Sequence, residues 1–480
     1  MRLSAGLLAI VAADIHANHP QIHTTVLHRF PGEHSIKRME VTSHGSLMQR
    51  GKSISPQRRH WLSAMAERSA LVSERQFTTL KRHKQARSQA QRKSSVSVED
   101  DDEAPHATLS LQNLRDSEYV GPIRVGSAPG TSFAETDFQE VNVVFDTGST
   151  NLWIASTLCQ QRSCRSRHQY DPSQSATYVE DSEGNYLDVH FGTGELKGYL
   201  AQDQFHVGPL TVQNQTFAMI EEEVGDVFKV IPFEGILGLA FPSMSVNNVP
   251  PLLDNIISQQ ILQHNEVSFF FTKLPETASA IFFGGVDKRF YEAPIRLFPV
   301  VDQFYWTVTL DKLTVGEKVV NEVPGGLFSP AQKIDKLVVD TGTTFFTAPS
   351  TVIDSLLEQL PQSMPCQEVG KLPDITYTLV NAQGQKHDMV VPPAVYMVSD
   401  GASRVCEPAF MEIDVPEEHG PAFLLGEVFM RHYYTVFDRR DGQSAYVGFA
   451  KAKHDKDAML ELENGGVGSG TVNGHEHFTG

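Results

Sequence analysis

The sequence has little cysteine, four residues in 480, and no two of them stand at Cys-x-x-Cys spacing. That excludes a disulfide-dense miniature scaffold and leaves a structural zinc site without support. No apolar run reaches the 18 or so residues that a membrane-spanning helix needs, so no membrane span is expected. Basic side chains are scarce over most of the chain. Beyond Val98 there are 24 Lys and Arg against 53 Asp and Glu, whereas the first 98 residues hold 16 basic and 5 acidic side chains. A basic N-terminal segment thus precedes a strongly acidic body. With 40% apolar residues the chain can bury a sizeable core, and its length suits two or three folding units.

Residues 1–13, MRLSAGLLAIVAA, put Arg2 ahead of an apolar run that ends in small residues. This reads as a secretory signal peptide, against the blander reading of an ordinary apolar N-terminus. Residues 14–106 carry the basic excess, with Lys81, Arg82, Lys84, Arg87, Arg92 and Lys93 clustered before the acidic run Glu99 to Glu103. Nucleic acid, an anionic membrane or plain solvation are the general readings of such a segment. None explains why the body is so acidic. A basic proregion lying over an acidic body does, and no nucleic-acid partner is expected.

The body is organised around a repeated carboxylate loop. From Val143 to Trp153 the chain reads VVFDTGSTNLW, and from Leu337 to Phe346 it reads LVVDTGTTFF. Each is an apolar approach of strand-forming residues, then Asp-Thr-Gly, then two hydroxyl residues. One Asp-Thr-Gly arises by chance in about a tenth of chains this long; two in matching surroundings do not suit chance. Gly148 and Gly342 permit a tight turn and the close approach of another backbone. If the loops meet, Asp146 and Asp340 cannot both ionise and hold one proton between them. One carboxyl is then an acid and the other a base, enough to activate a water and protonate the carbonyl it attacks. No metal or organic cofactor is required.

These paired loops resemble those of the pepsin-like aspartic peptidases, and the resemblance runs from about Leu111 to about Lys453. It implies a mostly β, bilobal fold, two duplicated β-rich lobes with the site in the cleft between them. The expected division is 107–292 for the N-terminal lobe and 293–455 for the C-terminal lobe, with 456–480 a flexible tail. By the resemblance, Asp146 and Asp340 are the catalytic pair. Ser149 and Thr343 bond their outer oxygens, and Thr147 and Thr341 lock the loops together. Gly148, Gly342 and Thr344 contact substrate, as do Phe191, Gly192 and Thr193 in VHFGTGELKG, which matches the family's flap hairpin. The family usually has Tyr where this chain has Phe191. That change points to altered substrate preference with activity retained.

Two further segments match each other, Ile236-Leu237-Gly238 and Leu424-Leu425-Gly426, an aliphatic-glycine strand following each aspartate loop. One chain therefore supplies both halves of the site, and a monomer suffices. Four cysteines allow three pairings; the resemblance selects Cys159 with Cys164 and Cys366 with Cys406. It also implies peptide and protein substrates with bulky apolar residues at the scissile bond, and a zymogen whose proregion is its own inhibitor. The long basic proregion, the Phe in the flap and a lengthened first hairpin between Pro129 and Val141 look most like apicomplexan plasmepsin and toxomepsin maturases. The protein is accordingly expected in the lumen of the secretory pathway or secreted, trimming other secretory proteins. A broad-specificity digestive or lysosomal protease is the alternative, and a non-catalytic peptide-binding member of the fold a further one. Asn214-Gln215-Thr216 is the single glycosylation sequon.

Overall fold

The computed structural model describes residues 24–28, 36–41, 47–52, 107–114, 118–127, 138–191, 194–229, 231–272, 279–323, 325, 330–399, 404–440, 442 and 444–463. Within the basic segment, strands Thr24–His28, Ile36–Val41 and Leu47–Lys52 form a three-stranded antiparallel sheet. The expected signal peptide, the Lys81 to Glu103 stretch and the excursion at 128–137 lie outside the described residues.

The body is mostly β, as expected, and its two halves repeat one topology. In the first, strand Glu118–Val125 pairs antiparallel with Gln139–Asp146, which delivers the first aspartate. Strand Gly235–Gly238 lies parallel to Gln139–Asp146 and antiparallel to Leu152–Ala155. In the second half, Ala422–Leu425 lies parallel to Lys336–Val339 and meets Phe346–Ala348 in antiparallel fashion through Thr347 and Leu424. Each glycine-bearing strand is thus wedged between the strand that enters an aspartate loop and the strand that leaves it. Fully buried apolar runs such as Phe423, Leu424 and Leu425 suit that central position, where both faces are covered.

A six-stranded antiparallel sheet joins the halves, in the order Ala107–Leu114, Ser279–Phe283, Glu266–Phe270, Tyr433–Asp438, Tyr446–Ala452 and Tyr291–Asp302. Its centre lies between Glu266–Phe270 and Tyr433–Asp438, one strand from each half, in the register Val267 to Phe437. The expected lobe division near Ala293 falls inside Tyr291–Asp302, at a register shift between Glu292 and Arg296. A single apolar core extends through both halves, including Phe145 and Ile154 as well as Val339 and Phe429. Trp306 is fully buried at the join, and its indole Nε1–H donates to the Leu239 carbonyl at 3.1 Å.

One expectation is corrected. The chain from 456 does not begin as a flexible tail: Lys456–Glu463 is a helix with Ala458, Met459 and Leu462 buried against Phe270, Phe282 and Phe290. Those three residues form one apolar stripe at helical spacing, and the Leu462 carbonyl accepts from the Ser110 hydroxyl at 3.0 Å. Residues 464–480 lie outside the described residues.

Candidate active site

The two aspartate loops meet at the centre of the molecule, and they meet symmetrically. The Thr147 N–H donates to Thr341 Oγ1 at 2.9 Å and the Thr341 N–H donates to Thr147 Oγ1 at 2.9 Å. The Thr147 hydroxyl in turn donates to the Val339 carbonyl at 3.1 Å, and the Thr341 hydroxyl to the Phe145 carbonyl at 2.7 Å. All four groups are buried, so each bond satisfies a donor that water cannot reach. The loops are locked by a reciprocal set of four hydrogen bonds.

This lock sets the aspartates against each other. A Cβ added at Gly148 would lie 2.4 Å from Asp340 Oδ1, and one added at Gly342 would lie 2.3 Å from Asp146 Oδ1. No side chain fits at either position, because the opposing carboxylate occupies that space. Each aspartate is also cradled by its own loop. The Gly148 N–H donates to Asp146 Oδ1 at 2.8 Å and the Ser149 hydroxyl donates to Asp146 Oδ2. The Gly342 N–H donates to Asp340 Oδ1 at 2.8 Å and the Thr343 hydroxyl to Asp340 Oδ2 at 2.5 Å.

The electrostatics follow from this geometry. Asp146 is 0% and Asp340 2% exposed, and burial pushes both carboxyls above the usual carboxylate range. The negative charge of Asp340 raises Asp146 further, while Ser149 and the Gly148 N–H pull it down. The result is a pair that keeps a proton at a pH where an isolated aspartic acid has lost it.

The glycine-bearing strands support the loops from behind. A Cβ at Gly238 would lie 2.3 Å from the Thr150 carbonyl carbon, and one at Gly426 would lie 2.2 Å from the Thr343 carbonyl oxygen. The Leu239 N–H donates to the Asp146 carbonyl at 2.7 Å, and the Asp340 N–H donates to the Leu425 carbonyl at 3.0 Å. Thr344 is buried, and its carbonyl accepts from the Val428 N–H at 3.0 Å.

The VHFGTGELKG segment is a hairpin, as its alternating pattern suggests. Tyr186–Phe191 pairs with Gly194–Val207, with Phe191 opposite Gly194. Gly192 and Thr193 lie outside the described residues, and Phe191 is placed by its backbone alone. Leu187, Val189 and Leu196 of this hairpin pack in one cluster with Val144 and Trp153, the residues flanking the first aspartate loop. The hairpin therefore packs against the strands that flank the first aspartate loop. The disulfides are Cys159–Cys164 and Cys366–Cys406.

A family model for eukaryotic aspartyl proteases matches residues 118–452. The chain belongs to the eukaryotic aspartyl protease family. The chain is similar to Aspartic protease 3 of Toxoplasma gondii, at 40% identity over 369 residues covering 74% of this chain and 54% of that protein. It is similar to Plasmepsin IX of Plasmodium falciparum at 34% identity, over 73% of this chain and 63% of that protein. Against Pepsin A of Gallus gallus the identity is 35%, over 69% of this chain and 84% of that protein. The chain thus spans less than two thirds of the length of the two apicomplexan relatives.

Sequence reasoning named both aspartates and their loop partners; it did not single out the register shift that leaves Glu221 unpaired beside Gly198, nor Asn247, whose Nδ2 donates to the Tyr186 carbonyl at 2.9 Å. A glycine inside an otherwise alternating strand is the signal that was available.

Proposed function

We propose that this aspartyl protease is an endopeptidase that hydrolyses peptide bonds through a water activated jointly by Asp146 and Asp340. The observation that carries the proposal is the mutual fit of the loops, in which each Asp-Thr-Gly glycine gives its side-chain space to the opposing carboxylate. In the first step the ionised carboxyl takes a proton from the water as its oxygen bonds to the scissile carbonyl carbon. The protonated carboxyl gives its proton to the carbonyl oxygen, forming a neutral tetrahedral diol. In the second step the C–N bond breaks, the amine leaves with a proton from the first carboxyl, and a diol hydroxyl returns its proton to the second. One proton remains on the pair at the end of each cycle.

Extended peptides with bulky apolar residues at the scissile bond are the proposed substrates, given the apolar surroundings of the loops. Residues 14–106 would act as an inhibitory proregion, since their basic excess complements the acidic body. The likeness to Aspartic protease 3 and Plasmepsin IX favours a single-chain processing protease of the secretory lumen, acting on other secretory proteins. The likeness to Pepsin A supports the second reading, a protease of broad specificity. A non-catalytic peptide binder is disfavoured because both aspartates and both following hydroxyls are present.

The test is cleavage of a quenched apolar peptide across pH 4 to 7, with and without pepstatin. Asp340→Asn and Asp146→Asn should each lower kcat by about three to four orders of magnitude while leaving the fold intact by circular dichroism. Parent-like rates in either variant would overturn the assignment. N-terminal sequencing of the active form tests the proregion, which must be absent from it.

A further inference from the structure

The long strands of the first lobe's hairpin depart from regular pairing twice, between Asp203 and Phe205 and, at the base of the arm, between Lys197 and Gly198. Gly194–Val207 and Leu210–Val224 pair up to Lys197 opposite Glu222 and continue with Gly198 opposite Ile220, so Glu221 is an extra residue on its strand. A bulge of this kind bends its strand and re-aims the extra side chain. Gly198 makes it possible, because a Cβ there would lie 2.3 Å from the Met219 carbonyl oxygen and 2.9 Å from Ile220 Cα.

The re-aimed side chain has a partner. Glu221 Oε1 accepts a 2.6 Å hydrogen bond from the hydroxyl of Tyr186, the first residue of the hairpin's outer strand. The Tyr186 ring meets the Tyr199 ring edge-on, with centroids 5.1 Å apart and planes at 77°, and the two residues are direct cross-strand partners. The Tyr186 carbonyl accepts from Asn247 Nδ2 at 2.9 Å. Asn247 itself sits in left-handed backbone, φ 58°, in the turn Val246–Asn248. Tyr186 is therefore held at hydroxyl, ring and carbonyl at the level where the hairpin bends. Burial and the hydrogen bond to Glu221 raise its phenol above the usual range, so it stays a neutral donor.

Beyond this level the inner strand stays paired with Leu210–Val224 from Lys197 to Glu195, whereas the outer strand 187–191 has no further strand partner on its far side in the described residues and packs on the molecule through Leu187 and Val189. Apolar contacts are non-directional and tolerate rocking, whereas a hydrogen bond to a carboxylate fixes an angle. We propose that Tyr186 and Glu221 form a positioning latch that sets the inclination of the two arm strands, 186–191 and 194–197, beside the first aspartate loop. Releasing the latch leaves the carboxylate pair unchanged and reduces the fraction of molecules whose arm is ready to bind. Apparent affinity falls by that fraction, so KM rises while kcat stays constant. The role rests on the endopeptidase reading, but the latch itself does not.

The experiment uses the full chain in four variants, Tyr186→Phe, Glu221→Ala, Glu221→Gln and the double variant Tyr186→Phe/Glu221→Ala. Two readouts are taken, KM and kcat on a quenched apolar peptide after activation, and amide hydrogen exchange across 187–198. Tyr186→Phe and Glu221→Ala should each raise KM about tenfold, the size expected for one charge-assisted hydrogen bond, with kcat within about twofold. The double variant should lose no more than either single variant, because the two changes remove one interaction. Glu221→Gln keeps an acceptor oxygen but loses the charge, and should fall between the parent and Glu221→Ala, with KM raised about threefold. Exchange in 187–198 should quicken in the first two variants and stay constant in the central strand Glu266–Phe270. Unchanged KM and exchange in Tyr186→Phe, additive losses, or a Glu221→Gln as defective as Glu221→Ala would each overturn the latch. If the parent cleaves nothing, the endopeptidase reading fails, and the exchange data alone still decide the latch.

Discussion

The two aspartate loops are near copies, but the segments behind them differ. After Gly238 the first half runs Leu239-Ala240-Phe241-Pro242, apolar and buried or turned, and the Leu239 carbonyl accepts from Trp306 of the second half. After Gly426 the second half runs into a short helix, Glu427–Met430, followed by Arg431. Arg431 donates to the Tyr119 hydroxyl at 2.8 Å and lies 3.8 Å from Glu427, all within the buried interior. The second half thus reaches across to the first twice, once through an indole and once through a guanidinium. The hairpin beside the site, by contrast, belongs to the first half alone. The chemistry is built symmetrically and the access to it is not.

Symmetry at the carboxylates makes its own tests. Gly342→Ala and Gly148→Ala each push a methyl into the opposing aspartate, and both should lower kcat/KM by at least about a hundredfold through displacement of a reacting group. If one glycine tolerates alanine at parent-like kcat/KM in the peptide assay, the two loops are not equivalent. This is the largest effect expected among the glycine, hydroxyl and surface substitutions.

The hydroxyls sharpen the comparison. Ser149 is partly exposed and Thr343 is 1% exposed, although each donates to its aspartate in the same way. Both donors pull their carboxyl down against the raising effect of burial. Removing either therefore raises the pair, and the acid limb of the pH–rate profile must move to higher pH. Water can replace the lost hydroxyl at Ser149 more readily than at Thr343. The shift should accordingly be larger in Thr343→Ala than in Ser149→Ala; equal shifts, or a move to lower pH, would contradict the proposed cradle.

The smallest expected effect lies at the join. Glu266 stands opposite Asp438 in the central sheet, and burial first, then the Asp438 charge, push its carboxyl up to about 7, with Arg440 opposing. A raised carboxyl stabilises the folded state fully below its unfolded value and loses that contribution as pH rises to the folded one. Thermal stability should therefore fall between about pH 4.5 and 7. Glu266→Gln, which mimics the protonated form, should flatten that fall by about 2 °C in Tm. An unchanged slope in scanning calorimetry would remove Glu266 as its source.

Much of the fold and the site was legible in the residues. The apolar approach, Asp-Thr-Gly and following hydroxyls announced both loops because the local demands of a carboxylate turn are strict, and the repeat announced two halves. The hairpin from Tyr186 followed from the likeness of VHFGTGELKG to the family's flap. Glu221 could not be found this way, since IEEEV offers three adjacent carboxylates and only the bulge decides which one meets Tyr186. The helix Lys456–Glu463 was missed because its stripe is only three residues, too weak to outweigh the polar composition around it.

Sequence alone determined the two carboxylate loops and their duplication, because each loop is specified by consecutive residues. Tertiary structure alone decided that Asp146 faces Gly342 and Asp340 faces Gly148, and which acidic side chain anchors the hairpin. Those relations join residues 35 to 196 positions apart, and pairing at that range is fixed only when sheets close and a common core excludes water.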